Sequence, residues 1–113
     1  MIFVFEVRIK KGYTAEQYAD SWVRASEIIQ QAPGARGTRL HRKIGDPEVL
    51  LAIASWESKA RRDAMEASPA EDVRAIIEEQ AKFVDVRVIG EFEDPDWVVD
   101  ARSDSHAPDG PTG

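Results

Sequence analysis

Apolar and polar residues alternate along several stretches of the chain, which is the pattern of β-strands. Four strands are predicted, at residues 2–9, 36–44, 48–56 and 83–92. In the third strand both the odd-numbered and the even-numbered positions are apolar, which is typical of a central strand covered on both faces. The second is polar and is expected to be an edge strand. The turn residues Gly45-Asp46-Pro47 separate these two, so we expect them to pair as an antiparallel hairpin.

The segment after the first strand carries apolar residues at helical spacing. Thr14 and Gln17 have the spacing of a capping box, in which the two side chains satisfy free backbone N–H groups. We therefore predict a helix from about residue 15 to residue 31, ended by Pro33-Gly34. Its apolar stripe consists of Tyr18, Ala19, Trp22, Val23, Ala25, Ile28 and Ile29.

The segment between the third and fourth strands is predicted to hold two helical pieces. Ser58 is expected to cap a short helix over residues 59–67. Ser68-Pro69 is expected to begin a second piece that runs to about Ala81, with serine as the N-cap and proline at the first helical position.

The order of these elements is strand, helix, strand, strand, helix, strand, which is the ferredoxin-like βαββαβ arrangement of an α+β protein. Right-handed crossovers place the helices on one face of a four-stranded antiparallel sheet. The other face is left uncovered although it carries apolar residues, and so large an apolar patch is unusual on a monomer. We therefore expect a homodimer in which two sheets pack face to face as a dimeric α+β barrel.

An apolar island, Trp97-Val98-Val99, interrupts an acidic stretch after the last strand. Residues 93–113 hold six acidic residues and one basic residue, and residues 100–113 have no aliphatic residue beyond alanine. This composition predicts disorder. We therefore divide the chain into a domain at residues 1–92 and an acidic, largely disordered tail. The island has two interpretations: it reaches a partner subunit, or it packs on a helix of its own subunit.

Composition excludes several classes of protein. The 113 residues leave room for one domain, and the lack of cysteine excludes disulfides, thiolate metal sites and a cysteine nucleophile. The net charge is −6 with no basic stripe, so no nucleic-acid partner is expected. No apolar run approaches the ~20 residues that cross a bilayer, and the first residues lack a signal-peptide pattern. We therefore expect no membrane partner and a cytoplasmic location.

The central part of the chain resembles a known family. The residues that carry the resemblance are Gly34, Leu40, Asp46-Pro47, Leu50, Trp56-Glu57-Ser58 and Ser68-Pro69. In identity and placement they are similar to those of the antibiotic biosynthesis monooxygenase family, whose members are dimeric α+β barrels. With the order of the elements, the resemblance extends over about residues 1–92.

The resemblance implies a pocket for a small aromatic molecule and oxygenation without a cofactor. Trp56 matches a tryptophan that lines the pocket of the polyketide monooxygenases of this family. Ala52 and Arg62 stand where that subgroup has an asparagine and a tyrosine, so its hydrogen-bonding set is not reproduced. Haem degradation, which relatives of the same fold perform, is not expected. The chain has no asparagine, and Met65 and Ala75 stand near the places of a tryptophan and the haem-ligating histidine of those enzymes.

Oxygenation without a cofactor needs a proton acceptor, a dry aromatic pocket and donors that stabilise the developing oxyanion. His41 is the only histidine of residues 1–92, and it is the candidate base because imidazole changes charge near neutral pH. Arg39, two residues away on the same strand face, is the candidate partner of an enolate. Each also has a simpler interpretation as a polar residue on an exposed edge strand.

The predicted pocket lies between the helices and the sheet, with His41 or Arg39 supplying its polar contact. Its predicted lining is Tyr18, Trp22, Leu51 or Ala52, and Trp56, with Arg62 as a further substrate contact. Trp56 is also a candidate for catalysis. The alternative interpretation is ordinary core packing for Tyr18, Trp22 and Trp56, and a solvated helix surface for Arg62.

Two functional hypotheses follow. The first is a monooxygenase without metal or other cofactor, acting on a small aromatic, phenolic or quinol-type substrate. The second is a dimeric module of the same fold that binds such a molecule without chemistry. The substitutions at Ala52 and Arg62 favour the second. The sequence shows no metal-ligand cluster, glycine-rich phosphate loop or Ser-His-Asp set.

Overall fold

A computed structural model describes residues 1–102, and residues 103–113 lie outside the described part. The predicted disorder of the tail falls mostly on those residues. The acidic tail and the boundary at residue 92 stay predictions. The last strand ends at Phe92, and residues 93–102 continue without helix or strand.

Within residues 1–102 the chain forms four strands and three helices. They are β1 (Ile2–Ile9), α1 (Ala15–Ile29), β2 (Ala35–Lys43), β3 (Asp46–Trp56), α2 (Lys59–Ala67), α3 (Glu71–Gln80) and β4 (Val84–Phe92). The strands form one sheet in the order β2-β3-β1-β4, and each neighbouring pair is antiparallel. The predicted ferredoxin-like α+β fold with a four-stranded antiparallel sheet is confirmed. None of the helices in the described part is long and apolar enough to span a bilayer.

Side-chain caps fix the starts of the first two helices. The Thr14 hydroxyl accepts from the Gln17 backbone N–H, and the Gln17 side chain accepts from the Thr14 N–H, as the capping box predicts. The Ser58 hydroxyl accepts from the Arg61 N–H and caps α2. The prediction that Ser68 caps the next helix is wrong. Ser68 ends α2, and α3 begins after Ala70 without a side-chain cap.

The hairpin between β2 and β3 is tighter than predicted. Ile44 and Gly45 form the turn, and Gly45 takes a φ of +90°, which glycine adopts without strain. Asp46 and Pro47 were expected in the turn but begin β3 instead. Proline is tolerated there because Pro47 lies in the irregularity of the ladder between the pairs Lys43–Asp46 and Arg42–Leu50, where no N–H is needed for pairing.

The hydrophobic core lies between the sheet and the helices. Alternation along β1 turns Phe5, Val7 and Ile9 toward the helices. Val7 packs with Tyr18 of α1 and Leu50 of β3, and all three are buried. Each fully buried aliphatic side chain of this kind contributes roughly 1.5–3 kcal/mol. The core therefore fixes α1 on one face of the sheet.

A β-bulge interrupts the pairing of β1 with β4. Phe5 pairs with Val88 and Val4 with Gly90, so Ile89 is an extra residue on β4. Gly90 takes a φ of +152°, which only glycine adopts readily. Beyond the bulge the alternation of β4 is reversed, and Glu91 turns to the same side of the sheet as the helices.

The opposite face of the sheet carries none of the helices of the described chain, and we call it the open face. Its centre is apolar, with Val4 of β1 and Val49, Leu51 and Ile53 of β3.

The Trp97-Val98-Val99 island does not pack on its own subunit. Trp97 is 88% exposed and Val99 is 98% exposed. The interpretation that the island packs on a helix of its own subunit is therefore wrong, and contact with a partner subunit stays a prediction.

Candidate functional site

A cavity of about 410 Å³ lies between the helices and the sheet, and we call it the helix-side cavity. Phe3, Phe5 and Ala54 form its wall on the sheet, and Tyr18 and Trp22 form its wall on α1. Its lining is mostly apolar, and its volume is within the range of small-molecule pockets. The structure therefore places a pocket where the sequence predicts one.

One side of the helix-side cavity opens to solvent. Ile77 of α3 and Val86 and Val88 of β4 line this side, and each is about half exposed. The helices do not cover the outer strand β4, so this side leaves the cavity open to small molecules.

Tyr18 lines the cavity from the middle of α1. Its side chain is 1% exposed, and burial raises the pKa of its phenol to about 12. Desolvation has this effect because it disfavours the charged phenolate. The hydroxyl therefore stays protonated at neutral pH, where it is a hydrogen-bond donor and not a base.

The raised pKa of Tyr18 predicts a stability change at high pH. Between pH 10 and about 12 the unfolded chain releases this proton while the folded chain keeps it. The free energy of unfolding should therefore be highest below pH 10 and fall by about 1.4 kcal/mol per pH unit above it. Urea unfolding at about pH 9 and about pH 11 measures this slope. Tyr18→Phe should remove it, and an equal slope in that variant would contradict the assignment.

Trp56 lines the cavity from the end of β3 and is buried. Its backbone N–H donates to the Met1 carbonyl at 2.8 Å, and its own carbonyl accepts from the Met1 amino group at 3.1 Å. These bonds fix the backbone at the end of β3, an inner strand of the sheet. Alternation along β3 then directs the indole ring to the helix side, where its N–H is a second donor.

Arg62 lies at the end of the cavity near Trp56 and is buried, with 8% of its surface exposed. Its Nη1 donates to Glu66 at 3.2 Å and to Glu91 at 3.0 Å. The guanidinium carbon lies 3.7 Å from the centre of the Phe3 ring, a cation–π contact. The alternative of a solvated helix surface is wrong for Arg62, which brings a charge into a largely apolar pocket.

The charge of Arg62 belongs to a network that reaches the surface. Lys59 lies 3.1 Å from both Asp63 and Glu91. Hydrogen bonds to Glu91 and then to Asp63 raise the pKa of the Lys59 ammonium. Glu91 thus joins α2 to β4 through two basic side chains, and this holds Arg62 in place.

Sequence reasoning missed the partners of Arg62. Glu66 was detectable, because it lies four residues after Arg62 on one helix, where side chains meet. Glu91 was not detectable from simple alternation, because the bulge at Ile89 reverses its side. Gly90 inside a strand pattern was the available signal for that bulge.

His41 and Arg39 lie on the other side of the sheet. Leu40 pairs with Ala52 on the helix side, so its two neighbours on β2 turn to the open face. His41 and Leu51 line a hollow on that face. The expectation that His41 or Arg39 supplies the polar contact of the helix-side cavity, and that Leu51 lines it, is therefore not met within one subunit. Their predicted roles with substrate are untested.

Ala52 lies on the helix side of β3 and is fully buried between Phe5 and Leu40. It sits in the sheet beneath the cavity without lining it. Of the predicted site residues, the structure brings Tyr18, Trp22, Trp56 and Arg62 together around one cavity. No group of three or more histidine, aspartate or glutamate side chains able to hold a metal ion occurs in the described part of the chain.

Comparison with known proteins identifies the family. The sequence model of the family named antibiotic biosynthesis monooxygenase matches residues 1–78. No curated protein matched the chain.

Solved structures share the fold at low sequence identity. SnoaB, a cofactor-independent oxygenase from Streptomyces nogalater, is similar with a TM-score of 0.66 and 12% identity, over 85% of this chain and 96% of that one. A structure described as antibiotic biosynthesis monooxygenase has a TM-score of 0.64 and 18% identity, over 84% and 100% of the two chains. A conserved protein from Methanosarcina mazei has a TM-score of 0.62 and 12% identity, over 80% and 92%. These likenesses show the fold.

Proposed function

Because the chain belongs to the antibiotic biosynthesis monooxygenase family, we propose that it is a cofactor-independent monooxygenase. Its substrate is a small aromatic, phenolic or quinol-type molecule that binds in the helix-side cavity. The observation that carries the proposal is the aromatic, largely apolar cavity with two hydrogen-bond donors, Tyr18 and Trp56, in its walls.

An electron-rich aromatic anion is the species that reacts with O₂ in this proposal. For an anthrone-like substrate, two C–H bonds break and one C=O bond forms. One oxygen atom of O₂ becomes the carbonyl and the other leaves in water, so the substrate supplies all the electrons. The Tyr18 hydroxyl and the Trp56 N–H stabilise the phenolate oxygen by hydrogen bonds, which are strong when water is excluded.

The proton acceptor in this proposal is Glu66. It is the one carboxylate among the residues that line the helix-side cavity in the described chain. Arg62 holds it at 3.2 Å and keeps it at the cavity wall. A base must lie within hydrogen-bond reach of the proton that it removes, and in this proposal the substrate binds with that proton toward Glu66 at the cavity wall.

The functional unit in this proposal is a homodimer formed through the open face. Its apolar centre, with Leu51 and Ile53, matches the surface that a second sheet would cover. Packing two sheets there closes the dimeric α+β barrel and leaves both helix-side cavities on the outside. His41 and Arg39 then lie at the subunit interface.

Oxygen uptake with a panel of hydroquinones and anthrones tests the activity. We expect uptake with at least one of them, and Trp56→Phe should lower kcat at least about tenfold because it removes a donor to the oxyanion. Trp97→Phe is the matched control, since it makes the same change outside the cavity, and it should keep the full rate. Equal rates in both variants would contradict the role of Trp56.

The second candidate function is a binding module without chemistry. Arg62 and Ala52, which stand in place of the tyrosine and the asparagine of the polyketide monooxygenases, favour it. In that case hydroquinones or anthrones of the panel would bind in the cavity and quench the fluorescence of Trp56, but no oxygen would be consumed. Oxygen uptake that depends on Trp56 would exclude it.

A further inference from the structure

Residues 93–100 leave the sheet after β4, and we call them the arm. They carry the exposed island Trp97-Val98-Val99 and form neither helix nor strand. Asp94 lies 2.6 Å from the Met1 amino group, which anchors the start of the arm at the end of the sheet. An exposed tryptophan with two valines is an apolar surface that a lone subunit leaves in water, so the arm points to an occupant outside its own subunit.

The arm is strongly acidic. It has no basic residue, and its acidic residues are Glu93, Asp94, Asp96 and Asp100. Its contact surface must therefore combine basic side chains with a place for a short apolar strand.

The sheet has two outer strands, and only one of them meets this condition. β2 carries no acidic residue, and its basic residues are Arg36, Arg39, Arg42 and Lys43. β4 carries two acidic residues and one basic residue, so it would repel the arm. Within residues 1–102, Arg39 and Lys43 form no ion pair and their side chains are exposed.

We propose that the arm of one copy docks along the free edge of β2 in a second copy. Within the described chain β2 pairs with β3 alone, so its outer N–H and C=O groups beyond Gly37, whose N–H donates to Gln30, are available for a further strand. Trp97-Val98-Val99 supplies that strand, and the acidic residues on either side of it meet the basic residues of β2.

The arm is long enough for this exchange. Eight extended residues span at most ~28 Å, and two stacked sheets lie ~10 Å apart. The arm is also long enough to reach β2 of its own subunit across the two intervening strands. In that subunit, however, the island is exposed and makes no such contact. The exchange rests on the homodimer proposed above, which it extends by a second, reciprocal contact.

A charge swap between full-length variants tests the exchange. One variant carries Asp96→Lys and Asp100→Lys, and the other carries Arg39→Glu and Lys43→Glu. In either variant alone, the side chains at positions 96 and 100 of the arm have the same sign as those at positions 39 and 43 of β2, and the dimer dissociation constant should rise at least about tenfold. In a mixture, both arm contacts join opposite signs at these positions, so a heterodimer should form with a higher affinity than either variant has for itself. Because Arg39 also lies at the sheet interface of the proposed homodimer, this recovery, and not the loss in the β2 variant alone, is the result specific to the arm. Sedimentation velocity of the single and mixed samples measures this.

The matched control is Glu78→Lys with Glu79→Lys. It changes the net charge as the arm variant does, but on the exposed surface of α3. It should leave the dissociation constant unchanged. An equal loss in the control, or a mixture that does not associate, would overturn the arm contact.

Acrylamide quenching of Trp97, obtained as the difference between the full chain and Trp97→Phe, gives a second measurement. Trp97 should be protected in the dimer and accessible after dilution to the monomer. A dimer that forms through the open face while Trp97 stays accessible would refute the arm contact and leave the proposed homodimer standing. A chain that is monomeric at all concentrations would refute both.

Discussion

Replacing Leu51 with aspartate is expected to leave a folded monomer at concentrations where the unmodified chain is a dimer. Leu51 lies at the apolar centre of the open face, with Val49 and Ile53 beside it. In the proposed dimer each copy would bury a new carboxylate without a partner, at a cost of several kcal/mol per charge. The dissociation constant should therefore rise by at least about a thousandfold. The folded monomer survives because Leu51 is not part of the helix-side core.

Sedimentation velocity gives the oligomeric state of the Leu51→Asp variant, and far-UV circular dichroism gives its folding. Val23→Asp is the matched control, since it adds the same charge to the exposed outer face of α1. This control should remain a dimer. A folded Leu51→Asp variant that stays dimeric would show that the open face is not the interface.

Replacing Arg62 with alanine is expected to lower the free energy of unfolding by about 2 kcal/mol, less than an unpaired buried charge costs, because Glu91 keeps Lys59 as a partner. The substitution removes the cation from Phe3 and takes from Glu91 its 3.0 Å partner, while Glu91 keeps its ion pair with Lys59. Glu66 is mostly exposed and regains water, so it contributes little to the loss. Urea unfolding at constant pH and salt measures the difference.

Two further variants separate the mechanism from a general effect of truncation. Arg61→Ala makes the same change at the next residue, where the ion pair with Glu57 is exposed, and it should cost less than about 1 kcal/mol. Arg62→Met with Glu91→Gln removes both charges and should recover most of the lost stability. A double variant no more stable than Arg62→Ala would contradict the view that the loss of the partner of Glu91 is the cause.

The fold could be predicted from the sequence because its signals are local. The alternation of apolar and polar residues predicts the first and last residue of each strand to within two positions. The caps at Thr14 and Ser58 predict where two of the helices begin. Ser68 misled because the same residue types that cap a helix start also occur where a helix ends. Asp46-Pro47 misled because turn residues are also allowed at the start of a strand.

The candidate site could be predicted only in part. Tyr18, Trp22 and Trp56 follow from helical spacing and from the end of a buried strand. His41 and Arg39 were placed in the same pocket, although the apolar Leu40 between them already indicates that they face the other way. Pairing between strands decides such questions, since a shift of one residue exchanges the two faces of a strand.

We expect the bulge at Ile89 also to oppose aggregation through the edge of β4. The outer edge of β4 exposes Val86, Val88 and Ile89, and a regular strand with such residues would be a template for the strands of other molecules. The extra residue breaks the even spacing of hydrogen-bonding groups and increases the local twist. Deletion of Ile89 would straighten this edge and favour intermolecular β-structure, while Glu91 would stay opposite Phe3 on the helix side of the sheet.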